Sequence, residues 1–144
     1  MKIRVAGSQS LVSTDKRDEK WKGSGGGMLD KFVITDFGQK VAANCAQEYL
    51  KDLPAETKLI VMFGLGTKLN YVSEAYKLYQ AARPGAWKQL NEVSYTDGKI
   101  TVVHVEHFAA QGALIPNWLG ENTGHVRSRW GEMAQQSVET ALCD

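Results

Sequence analysis

The stretch Lys58-Leu59-Ile60-Val61-Met62-Phe63-Gly64-Leu65-Gly66-Thr67 decides the fold class. From Leu59 to Phe63 the chain is continuously apolar, without the alternation of a half-buried strand. It reads as a central parallel strand buried on both faces. A Gly-x-Gly turn follows at once, and then a helical pattern with Leu69, Val72, Tyr76 and Tyr79 on one face. Arg83-Pro84-Gly85 stops that helix. A strand, a glycine turn and an amphipathic helix in succession form the repeating unit of α/β proteins.

Working outward, Phe32-Val33-Ile34 reads as a second buried strand, and Asp36 opens a helix with Gln39 as its capping-box partner. Val41, Cys45, Tyr49 and Leu53 recur on one face of that helix, which makes Cys45 a buried small hydrophobe. Downstream, Val93 to Tyr95, the Asp97-Gly98 turn and Ile100 to Glu106 read as a hairpin. Residues 111–124 read as a long loop. A last helix starts near Val126 and turns Val126, Trp130, Met133, Val138 and Ala141 inward. The expected architecture is α/β, a three-layer αβα sandwich around a mainly parallel four-stranded sheet, in one core domain over 28–144. Residues 1–27 read as a flexible N-terminal arm, or as a shortened first strand at Lys2 to Ala6 with a loop. Gly23-Ser24-Gly25-Gly26-Gly27 closes that segment, and its bare amides suit either a mobile loop or an anion site. No Walker lysine follows, which excludes a P-loop.

Composition narrows the function classes. The chain has 144 residues, 43% of them apolar, the size and content of one globular domain. Lysine and arginine number 17 against 16 acidic residues, a net charge of +1, which excludes a strongly basic nucleic-acid binder but not a local patch. No apolar run approaches the ~20 residues of a membrane span, so no membrane partner is expected. Met1 to Gly7 is unlike a signal peptide. Cys45 and Cys143 stand far apart with no CxxC, too few thiolates for a zinc site or an iron–sulfur cluster. The expectation is a cytoplasmic protein with reduced thiols, no metal and no cofactor.

Ligands of open α/β sheets collect beyond the carboxyl ends of the strands. Three such ends are visible: Thr35-Asp36-Phe37, Gly64-Leu65-Gly66 and Glu106-His107-Phe108. Gly64 and Gly66 serve either a tight turn or a ligand that needs close backbone approach. Asp36 is either a helix N-cap or a ligand acceptor. His107 is either a structural strand-end residue or a proton donor to a developing anion. Glu106 points to the other side of the strand from His107, which argues against a dyad. His104, between two valines in mid-strand, reads as a partly exposed or satisfied sheet histidine. Arg127 and Arg129, at the start of the last helix, suit phosphates or a solvated helix end.

Taken together, these segments resemble the uracil-DNA glycosylase superfamily. Asn44-Cys45-Ala46-Gln47-Glu48-Tyr49-Leu50 followed by Leu59 to Gly64 is similar to its Asn-Cys-x-Pro-Tyr-Leu helix and the strand after it. Val102 to His107 is similar to its last core strand, which ends in His-Pro-Ser. Phe32 to Asp36 is similar to the strand that ends in Thr-Asn. The match covers about Met28 to Phe108. It implies hydrolysis of the N-glycosidic bond of a flipped nucleobase, with DNA or another nucleobase-containing ligand as partner. His107 takes the position of the histidine that stabilises the departing base. Asp36 takes that of the base-reading asparagine, and Gly64, Gly66 and Phe108 adjoin the base. Arg127 and Arg129 are the candidate phosphate contacts.

The chain departs from the pattern in instructive ways. Phe108 and Ala109 stand where Pro and Ser are expected. A carboxylate at Asp36 only accepts hydrogen bonds, so it suits a base edge rich in N–H donors better than a uracil carbonyl. The family's opening Gly-x-x-Pro-Gly strand, with its water-activating acid, has only Ala6-Gly7-Ser8-Gln9 as counterpart, with Asp15 or Asp18 as substitute acids. The expectation is therefore a shortened relative that either hydrolyses an N-glycosidic bond or has lost the activity. The rival expectation is a non-catalytic α/β module that binds a nucleotide-like ligand or a protein partner.

Overall fold

The computed structural model describes residues 14–17, 20–23, 33–66 and 69–143. The expected strand at Lys2 to Ala6, the Gly23–Gly27 run beyond Gly23, and Asp18 lie outside them. Within the N-terminal segment, β1 (Thr14–Arg17) and β2 (Lys20–Gly23) pair antiparallel as a separate two-stranded sheet. The remaining elements are α1 (Asp36–Tyr49), β3 (Leu59–Phe63), α2 (Tyr71–Ala82), β4 (Lys88–Asn91), β5 (Ser94–Thr96), β6 (Thr101–Val105), α3 (Leu114–Trp118) and α4 (Val126–Cys143).

The main sheet has four strands in the order β3-β6-β5-β4, and it is mixed rather than mainly parallel. Only β3 and β6 run parallel, with Leu59 opposite Thr101 and Phe63 opposite Val105. β4, β5 and β6 form an antiparallel meander. Two turns impose this. The hairpin at Asp97-Gly98 forms as expected, but its loop spans 97–100 because Asp97 Oδ1 accepts both the Lys99 and the Ile100 amides, at 2.9 and 2.7 Å. The Glu92-Val93 turn adds β4, whose Lys-Gln-Leu-Asn sequence carries no strand signal. Asn91 Oδ1 closes that turn by accepting the Val93 amide at 3.0 Å.

β6 is the central strand, buried on both faces through Val102, Val103 and His104. β3 pairs only with β6 among the described residues and stands at the sheet edge, with Ile60 its one buried residue. Neighbours along β5 meet different helices, because successive strand side chains face opposite ways. Tyr95 packs its ring on Tyr76 and Tyr79 of α2, with centroids 4.8 and 5.6 Å apart. Ser94 Oγ instead meets Ser137 Oγ of α4 at 2.8 Å. Tyr79, Val93, Tyr95, Ile100, Val102 and Val103 are the fully buried core. Each such aliphatic or aromatic side chain is worth about 1.5–3 kcal/mol on leaving water.

The helices depart from their sequence readings in small registers. Val33 and Ile34 form a turn, with Ile34 67% exposed, so the strand read there is absent over its described part. Thr35, not Asp36, is the N-cap of α1: its hydroxyl accepts the Gly38 amide at 3.0 Å. That places Gly38 at the third helical position and takes Gln39 out of the capping box. The buried stripe of α1 runs through Gly38 and Ala46, not Val41, Cys45 and Tyr49, and Cys45 is an exposed free thiol. Small residues win that face because α1 packs closely on α2, where Gln47 donates to the Ala81 carbonyl at 2.9 Å. Arg83 then ties off the end of α1 by donating to the Leu50 and Lys51 carbonyls. In α4 the inward residues include Arg127, Ser128, Ala134 and Ser137, while Val126 is 41% exposed. The loop read at 111–124 contains α3, which admits Pro116 because the first turn needs no amide donor there.

Candidate functional site

The parallel pair brings two of the three anticipated strand ends together. Gly64 follows β3 and donates its amide to the Val105 carbonyl at 2.8 Å, so the Gly64–Gly66 turn lies against the end of β6. Gly64 and Gly66 have φ of +114° and +78°, a region that side chains disfavour. A Cβ at Gly66 would sit 1.8 Å from the Leu69 carbonyl oxygen, so no other residue fits there. The tight-turn role is therefore real, and it leaves the turn beside the His107 loop.

Three aromatic rings gather at this edge. His107 stacks on Phe108, with centroids 4.5 Å apart and planes 24° from parallel. Phe63, the last residue of β3, meets both edge-on, at 6.4 Å from His107 and 5.9 Å from Phe108. The cluster faces solvent: Phe108 is 78% exposed and Phe63 43%. The His107 ring is oriented by its own turn, since Nδ1 accepts the Ala109 amide at 3.1 Å. In the neutral ring the proton then sits on Nε2, which faces no acceptor among the described residues and remains a donor for a ligand.

Asp36 is exposed at the first position of α1. No hydrogen bond, ion pair or ring contact among the described residues joins it to Gly64 or His107. The two arginines are engaged within the chain. Arg127 is buried and forms an ion pair with Glu106, both side chains being only 7–8% exposed. Arg129 is half exposed and donates to Glu92 Oε1 at 2.7 Å, while the Trp130 indole donates to Oε2 of the same carboxylate. These two donors hold the Glu92 carboxyl below its usual range, the indole hydrogen bond contributing most. The guanidiniums thus face protein carboxylates rather than an open anion site.

Beneath the turn lies a buried polar chain. His104 is 2% exposed, with Nδ1 3.2 Å from the Gly64 carbonyl and Nε2 3.2 Å from the Tyr95 hydroxyl. A carbonyl only accepts, so Nδ1 donates to Gly64 and the Tyr95 hydroxyl donates to Nε2. Burial lowers the imidazole to about 4, against a smaller opposing effect of the Gly64 carbonyl. Of the two readings open for this residue, the satisfied sheet histidine is the one found.

Several of these partners left weak traces in the sequence. Phe63 looks like the end of an apolar run, and only its place next to glycine marks it as a strand-end residue. Arg127 lies three residues before Trp130 and seven before Ala134, on the inward stripe of α4, and that spacing is the signal for its burial. A hollow of about 60 Å³ between the start of α2 and β4–β5 is lined by Ser73, Tyr76, Gln89 and Glu92, among others, and by none of the anticipated residues. Among the described residues no group of three or more His, Cys, Asp or Glu side chains could hold a metal ion. No helix among them is long and apolar enough to cross a membrane. Comparison with protein-family models, with curated proteins and with solved structures returns no match.

Proposed function

We propose that the chain is a uracil-DNA glycosylase-like domain of three-layer α/β design that recognises a nucleobase at the carboxyl ends of β3 and β6. The observation that carries this reading is the exposed Phe63–His107–Phe108 cluster beside the Gly64–Gly66 turn. A base stacks on such rings and meets the His107 Nε2–H at its edge. A donor at that place is what a departing base anion needs, so His107 is the candidate for leaving-group stabilisation. Helices on both sides of β5, reached by Tyr95 and Ser94, support the layer arrangement.

Hydrolysis also needs an activated water, and the carboxylate next to His107 in sequence, Glu106, is committed to Arg127. That favours base binding over turnover. The experiment measures binding and base release together, on single- and double-stranded oligonucleotides carrying uracil or hypoxanthine. Phe108→Ala is expected to weaken binding by about tenfold or more, since stacking on an aromatic side chain is worth about 1–3 kcal/mol per base. Release of base that His107→Ala abolishes establishes the hydrolase. Binding that depends on Phe108 without any release establishes a base-binding module. The absence of both binding and release would contradict the proposal.

A further inference from the structure

The Gly64–Gly66 turn has a side-chain anchor that comes from the central strand. His104 reaches from β6 to the Gly64 carbonyl, while its other nitrogen is held by Tyr95 of the neighbouring β5. Gly64 sits at a positive φ, where the backbone has freedom that other residues lack. Its amide is tied to Val105 and its carbonyl to His104, so the peptide groups on both sides of its Cα are held, and the second of them leads into Leu65 and Gly66.

We infer that His104 is a positioning residue: the Tyr95–His104–Gly64 hydrogen-bond chain aims the Gly64–Gly66 turn at the ligand bound on the Phe63–His107–Phe108 rings. The inference rests on the base-recognition reading above. It assigns the strand histidine a task in the site that packing alone does not require, since Leu or Phe fills a sheet core as well. The functional half of the ring is Nδ1. The Nε2 half serves to fix the tautomer, because the Tyr95 hydroxyl presents its proton there and leaves Nδ1 as the donor.

Asparagine and glutamine separate the two halves. His104→Asn retains a donor near the Nδ1 position, and His104→Gln retains a polar group near Nε2 that reaches Tyr95 but not Gly64. The amide resonances of Gly64 and Gly66 are followed in the full chain without ligand, together with binding of a short single strand carrying uracil. His104→Asn is expected to keep the Gly64 and Gly66 resonances near their wild-type positions and to bind within about twofold of wild type. His104→Gln should move both resonances and weaken binding roughly tenfold, the scale of one buried hydrogen bond. Equal behaviour of the two variants, whether both benign or both disruptive, overturns the inference. If His104→Gln fails to fold, Tyr95→Phe serves in its place: it should leave the Gly64 resonance less shifted than that of His104→Leu, and the reverse order overturns the inference. The resonances are read without ligand, so failure of the wild-type chain to bind would count against the base-recognition reading while leaving this test intact.

Discussion

Replacing Glu106 with alanine is expected to destabilise the protein by about 3–5 kcal/mol, the cost of leaving a buried charge without its partner. Both ends of the Glu106–Arg127 pair are almost fully enclosed, so solvent offers Arg127 no substitute. The loss is a large share of the ~5–15 kcal/mol that holds a typical domain together. Arg127→Ala should cost a similar amount, for the mirror-image reason. The double replacement Glu106→Leu with Arg127→Met should recover most of it, because well-packed apolar groups replace a buried pair at little net cost. Urea unfolding of the four proteins at neutral pH reads these differences directly. Single variants that lose under 1 kcal/mol would show that water reaches the pair. Arg129→Ala is the control: its contact with Glu92 is half exposed and should change stability little. Glu106 also accepts the His107 amide through Oε1 at 3.2 Å, so the single variants should disturb the aromatic cluster as well.

The second large effect is acid sensitivity from His104. Its folded pKa, about 4, lies below the ~6.5 of an unfolded histidine, so the unfolded chain binds the proton more readily. The stability held by the neutral ring is therefore complete above about pH 6.5. It declines as pH falls from there and is spent once the pH passes below about 4. The loss by pH 4 amounts to about 3 kcal/mol. Among the described residues the partners of the His104 ring are the Tyr95 ring and hydroxyl and the Gly64 carbonyl, and none of them is a carboxylate that would offset this. The measurement compares unfolding free energies of the wild type and His104→Asn at steps from pH 7 to pH 4. The wild type should lose about 3 kcal/mol relative to the variant over that range. A constant difference between the two would mean that His104 titrates normally and is open to water.

Much of the fold was legible in the sequence where one periodicity dominated. The apolar run Leu59–Phe63, the stripe Val72–Tyr76–Tyr79 and the Asp97-Gly98 turn all correspond to β3, α2 and the β5–β6 hairpin. The sheet departs from the mainly parallel expectation because β4 has polar residues at an exposed edge, where no burial pattern is imposed. Position at an edge also explains why an unbroken apolar run did not become the central strand: β6, with a histidine in it, took that place. In α1 two stripes at four-residue spacing compete, one bulky and one of Gly38, Ala42 and Ala46. Close helix packing selects the small one, which apolar counting ranks second. For the site, His107 and the two glycines were visible because strand ends and turns carry local signals. Phe63 and the partners of Arg127 and His104 were not, because each depends on a contact with a residue far along the chain.

The most direct test of base recognition at this edge is a titration of isotope-labelled protein with deoxyuridine, followed through the backbone amides. Saturable shifts concentrated at Gly64–Gly66 and at His107–Ala109, and reduced in Phe108→Ala, are the expected result. Shifts gathered instead around the hollow of Tyr76, Gln89 and Glu92, or no saturable shift at all, would contradict it.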